Sequence, residues 1–118
     1  MKPILALLPA LFLTSAAFAQ EAPEAAKMDL WCGIAFGIVA ADIPSDATEE
    51  QKAVVKQYTD GAQMLIDRAT AAHMEAGYDD AGFAVHRAER EAHVTAQVNM
   101  TGDQADYSFE ECSALLGL

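Results

Sequence analysis

Beyond residue 27 the apolar residues fall into blocks whose internal spacing is helical. From about Lys27 to Ala41, Leu30, Trp31, Ile34, Phe36, Ile38 and Val39 point in nearly every direction around a helix, the pattern of an element central to its domain. Gly33 and Gly37 share one face, so a second backbone is expected to approach there, although each glycine weakens the helix by about 1 kcal/mol relative to alanine. Pro44 ends this block. Asp46, followed three residues later by Glu49, has the form of a capping box and predicts a second helix. Its core face is expected to run through Val54, Tyr58, Ala62, Leu65, Ala69 and Ala72, flanked by Val55, Ile66 and His73. Gly77 supplies a left-handed stop, and Tyr78 is placed for the apolar contact that accompanies such a stop.

Asp79 and Asp80 offer a new N-cap at once. A third helix, from Ala81 to about Met100, is therefore expected to turn back on the second as an αα-hairpin. Ala84, Val85, Ala88, Ala92 and Ala96 make a slim face suited to close packing, with Phe83, Val94 and Val98 widening the buried arc. A turn at Thr101-Gly102-Asp103 leads to Ser108 and Glu111, a second capping-box pattern, and to a short helix carrying Phe109, Cys112, Leu115 and Leu116. No run alternates apolar and polar residues long enough to demand a sheet. The expected fold is all-α, a small disulfide-stapled bundle of about four helices forming one domain over residues 28–118. Residues 20–27 are expected to be a short flexible tail, because Ala, Glu and Pro there bring no large apolar side chain.

Ahead of that tail the pattern changes. Lys2 and the amino terminus are basic, Ile4 to Leu13 is apolar apart from Pro9, and Ala17-Phe18-Ala19 puts small residues at a cut site. Residues 1–19 thus read as a cleavable secretory signal peptide. The run is too short for a membrane span, which needs about 20 apolar residues, and Gln20-Glu21 follow directly. This predicts an exported protein of the bacterial periplasm with no stable membrane insertion after cleavage.

Cleavage takes 19 of the 118 residues and leaves 99, enough for one domain that buries roughly 60% of its chain surface. It also removes Lys2 from 7 basic residues, so 6 face 18 acidic ones at a net charge of −12. Such a chain repels nucleic acid and anionic lipid. Cys32 and Cys112 are the only two cysteines, and in an exported chain they are expected to form one disulfide. Closing a loop of that length stabilises by up to roughly 4.5 kcal/mol in the loop-entropy picture. A redox-active pair would stand close in sequence with a low-pKa thiol, so this spacing reads as a staple.

Motifs for chemistry are few. The sequence holds no Gly-rich phosphate loop, no CxxC, no His-Glu-x-x-His and no nucleophile elbow, so neither a cofactor nor catalytic residues are expected. His86, Glu89 and His93 share a helix face, with Arg90 and Gln97 beside them, and are the candidate Zn²⁺ or Cu²⁺ ligands. The two histidines stand about two turns, or roughly 10 Å, apart, and Arg90 puts a positive charge between them, so the preferred reading is a solvated polar stripe opposite the alanine face. His73-Met74 carries a faint copper signature, but Met64 and Met74 are read as core filler and His73 as a hydrogen-bonded residue at the core margin. Asp79-Asp80 is read as a cap before it is read as an acid/base pair.

In size, helical class and the Trp31-Cys32 pair, the chain resembles the small acid-stress chaperones of the bacterial periplasm. That resemblance implies a helical, signal-bearing, single-disulfide protein that captures clients when acid loosens it. The function expected is therefore a small exported non-enzymatic binding or envelope-stress protein with an unknown protein partner. The alternative is an acidic inhibitor or immunity-like protein that blocks a cationic enzyme by charge complementarity. Protonation of the capping carboxylates at Asp46, Glu49, Asp79 or Asp80, and Glu111, together with charging of a buried His73, predicts partial opening at about pH 2 to 3.

Overall fold

Helix α1 (Glu24–Ala41) carries apolar residues on all sides and takes the central place this requires: every residue from Asp29 to Phe36 is buried. In this computed structural model, which describes residues 21–99 and 105–118, three further helices surround it. These are α2 (Glu49–Glu75), α3 (Asp80–Val98) and α4 (Phe109–Leu115), and no strand occurs among the described residues. The leader at 1–19, Met100 and the turn at 101–103 lie outside the described residues. No helix among the described residues is long and apolar enough to cross a membrane.

The segment assigned to a tail is partly structured. Helix α1 begins at Glu24 behind Pro23, and Ala22 and Ala26 are buried. Small side chains need no large apolar partner to pack; they fit where a bulkier residue would not. The first cap also moves. Asp46 sits in a turn closed by Ala47 N–H donating to Pro44 O, and the capping box is Thr48 with Gln51: each side chain accepts from the other's backbone N–H, at 3.1 and 2.8 Å. Helix α2 ends as its sequence implies. Gly77 adopts φ +113°, and the N–H groups of Tyr78 and Gly77 donate to His73 O and Met74 O in a Schellman motif. The Ser108–Glu111 capping box opens α4.

Helix α2 packs along α1. Ala62, Leu65, Ile66, Ala69 and His73 are buried against it, while Val54 at the α2 start is half exposed. Gly33 permits the approach: a Cβ there would stand 2.7 Å from Ile66 Cγ1 and 3.0 Å from the Ala62 carbonyl oxygen. Gly37, on the same face, meets nothing within 4 Å, so only one of the two glycines serves close packing. The Cys32–Cys112 disulfide ties α4 to the buried middle of α1 with a Cα–Cα distance of 5.3 Å, and Phe36 stacks between Tyr58 and Phe109 at 5.0 and 5.8 Å.

Helix α3 corrects the reading most. It reverses at Gly77–Asp79, but its main partner is α1 and not α2. It is also rotated: Phe83, Val94 and Gln97 are buried, while Ala84, Val85, Ala88, Ala92 and Ala96 face out, Val85 at 62% exposure. The alanine stripe is the more continuous of the two apolar faces, which is why its spacing predicts an inward position. Burying a phenyl ring and an isopropyl group removes more apolar area from water than burying methyls, at about 25 cal/mol per Å², and this fixes the phase of the helix. The polar stripe with His86, Arg90 and Gln97 is thereby carried inward.

Candidate functional site

That rotation builds a cleft of about 570 Å³ where the first turns of α1, the end of α2, the first half of α3 and the Asp106-Tyr107 segment meet. Its size is that of a small-ligand site, which typically spans about 300–1,000 Å³. Leu30, Trp31, Tyr78 and Tyr107 provide apolar and aromatic wall; Lys27 and Arg90 bring cationic charge, Glu21, Glu24 and Asp106 bring carboxylates, and His73 and His86 bring imidazoles.

His73 lies at the bottom. The Schellman turn that ends α2 keeps it on the inward face, where it is 1% exposed and its Nδ1–H donates to the Ala69 carbonyl at 2.7 Å. Its Nε2 has no hydrogen-bond partner among the described residues. The ring lies 5.1 Å from His86, 5.5 Å from Tyr78 and 5.1 Å from Phe83, centroid to centroid. His86 also stacks on Tyr78 at 5.1 Å. Burial pushes the His86 imidazole below its ordinary value, helped by His73 and then Arg90, both of which oppose a second positive charge there.

The far side is held by an amide node. Gln97 Oε1 accepts from Trp31 Nε1–H at 2.8 Å and from Asp106 N–H at 3.0 Å, and its Nε2 donates to Asp106 Oδ1 at 3.1 Å. His93 Nε2 bonds to the other Asp106 oxygen at 2.8 Å. The Gln97 amide and then His93 hold the Asp106 carboxyl below the usual carboxylate range. Tyr107 packs edge-on against Trp31 at 5.7 Å and donates its hydroxyl to Glu24. Burial, reinforced by Glu24, raises the Tyr107 phenol well above its ordinary pKa.

The candidate ligand set is not assembled. His86 faces the cleft, His93 binds Asp106, and Glu89 is exposed. Among the described residues no three His, Cys, Asp or Glu side chains converge as a metal site. Asp79 caps α3 through Gly82 N–H at 2.7 Å and Asp80 is exposed in its first turn, so the pair works at the helix start. Met74 packs on the core, whereas Met64 is 46% exposed. Sequence reasoning missed Asp106 and the inward role of Gln97. Only the spacing of Phe83, Arg90, Val94 and Gln97, which falls on one face, could have signalled the latter.

A second ion pair lies outside the cleft. Arg68 donates from Nε and an Nη to both oxygens of Asp29, at 2.7 and 2.8 Å, and the Asp29 side chain is only 8% exposed. It pins α1 to α2 from the side away from Gln97 and needs no ligand.

Compared with protein-family models, curated proteins and solved structures, the chain matches none.

Proposed function

We propose that this chain is a small exported binding protein without catalytic activity, and that acid loosens it. The observation that carries the binding reading is the cleft, in which aromatic wall and a few polar groups converge. Its carboxylates are engaged in holding the walls: Glu21 pairs with Lys27, Glu24 with Tyr107, and Asp106 with Gln97 and His93. That suits a preformed receptor more than an acid/base centre. Export is supported by the disulfide, which needs an oxidising compartment to persist, together with the leader pattern of residues 1–19.

The acid response rests on His86. It is surrounded by His73 from α2, Tyr78, Lys27 from α1, and Arg90 and Glu89 on its own helix, and burial disfavours its charged form. A group depressed in the fold contributes stability that is present above its unfolded pKa, about 6.5, and lost as pH falls towards the folded value. Charging it beside a second imidazole separates α3 from the end of α2 and opens apolar helix surface.

The test is a pH series on the mature protein. Near-UV circular dichroism and hydrophobic-dye binding should change between neutral pH and pH 3 while far-UV signal persists, and acid-loosened protein should suppress light scattering by an acid-aggregating client. Unchanged near-UV signal and dye binding down to pH 2 would remove the acid response, and scattering identical with and without the protein would remove client capture.

A further inference from the structure

We propose that the cleft is a receptor for a small aromatic oxyanion: a ring bearing a carboxylate or phosphate, with a hydrogen-bond donor at the opposite end. The assignment deepens the binding reading above and depends on it.

Polar side chains line much of the cleft. Each carboxylate already has a donor: Lys27 Nζ on Glu21 at 2.8 Å, the Tyr107 hydroxyl on Glu24, and Gln97 and His93 on Asp106. Lys27 is likewise spent on Glu21. Arg90 is different. It lines the cleft, sits half-buried on the inward face of α3, and makes neither a salt bridge nor a hydrogen bond among the described residues. The other two cations of α2 and α3 that reach inward or sideways, Arg68 and Arg87, are paired with Asp29 and Glu91. A guanidinium offers up to five N–H donors in a planar fork that matches carboxylate and phosphate, and in a chain carrying 18 acidic residues one left without an acceptor is conspicuous.

The opposite end of the ligand is set by His73. Its Nδ1–H is committed to the Ala69 carbonyl, so in the neutral ring Nε2 is an acceptor, and that atom has no hydrogen-bond partner among the described residues although His73 is 1% exposed and lines the cleft. A buried polar atom without a partner is costly, and a ligand hydroxyl or N–H would satisfy it. The rings of Tyr78 and His86 pack on each other and on His73, and they line the cleft together with Arg90, Trp31 and Tyr107. Aromatic surfaces in one cleft with a fork of donors and a single acceptor fit a ring carrying one anion and one donor.

Isothermal titration calorimetry with four phenols that differ at the para position, 4-hydroxybenzoate, 4-hydroxyphenyl phosphate, 4-hydroxybenzamide and tyramine, tests this on the disulfide-intact mature protein. The hydroxybenzoate or the phosphate should bind tighter than the neutral and cationic probes, and whichever of the two is tighter identifies the oxyanion. Arg90→Gln should weaken the anionic probe by about 10- to 100-fold, the range for losing hydrogen bonds to a charged partner. Arg90→Lys, which keeps the charge and loses the fork, should fall between. Arg87→Gln removes the same charge from the same helix outside the cleft and should change affinity by less than about 2-fold, since screened surface charge contributes little. Equal or tighter binding of tyramine or the benzamide would overturn the oxyanion assignment and leave the binding reading standing. No binding of any probe at millimolar concentration would overturn the assignment too, while client capture in acid would still stand or fall on its own experiment.

Discussion

Alanine substitutions at Gly33 and Gly37 should have opposite signs, although the two residues lie one turn apart on one helix face. Each change gains about 1 kcal/mol of helix propensity. At Gly37, which is exposed and whose Cβ would meet nothing within 4 Å, that gain is kept nearly whole. At Gly33 the new methyl would lie 2.7 Å from Ile66 Cγ1, 3.0 Å from Ala62 O and 3.2 Å from Ile66 N. A rotamer change of Ile66 relieves the first contact. The other two are α2 backbone, so α1 and α2 must separate by a few tenths of an ångström along the seam where Leu30, Leu65 and Ala69 are buried. Overpacking of this kind costs about 1–3 kcal/mol, which outweighs the propensity gain and leaves Gly33→Ala about 1 kcal/mol less stable than the parent. Gly37→Ala should be more stable by about 0.5–1 kcal/mol. The gap of nearly 2 kcal/mol corresponds to roughly 8–15 °C in Tm for a domain of this size. Urea and thermal unfolding of both variants, disulfide intact, give the answer. If Gly33→Ala is as stable as Gly37→Ala, the close approach of the two backbones is not as described.

Gln97→Leu should leave the Trp31 indole N–H and the Asp106 amide without their acceptor and cost about 2 kcal/mol in urea unfolding, with a shifted Trp31 emission maximum; an unchanged spectrum would deny the node. Protein purified without reductant should show no free thiol, and Cys32→Ala should lower stability by about 2–5 kcal/mol; two titratable sulfhydryls in exported material would contradict the staple. Arg68→Met should cost about 1–3 kcal/mol because it strands the buried Asp29 carboxylate, a figure kept low by the half-exposed guanidinium, and adding Asp29→Leu should recover part of the loss. Stability plotted against pH should begin to fall near 6.5, the ordinary histidine value, and His86→Gln should flatten that part of the curve; Asp106 adds a second decline only in stronger acid, below the ordinary carboxylate range. A wild-type curve that is level between pH 7 and pH 5 would refute the role given to His86.

The elements whose patterns carry their own reason were legible in the sequence. An apolar run pointing all ways around a helix must be covered on all sides, so the central place of α1 follows from Leu30, Trp31, Ile34 and Phe36. Gly77 and Ser108–Glu111 act within a few residues of themselves, and their turn and cap form as read. Two cysteines, with no third to compete, leave one possible intramolecular pair. Tertiary structure decided what depends on comparing faces. The two glycines of α1 look alike in sequence, yet only Gly33 lies where α2 crosses. Helix α3 offers a continuous alanine stripe and a broken stripe of Phe83, Val94 and Gln97, and local spacing favours the first. Burial of the larger side chains, together with the hydrogen bonds that Gln97 makes to Trp31 and Asp106 across 66 and 9 residues, selects the second. The cleft exists because of that choice, since it turns His86 and Arg90 towards His73, and no periodicity within one helix encodes which neighbour its polar face will meet.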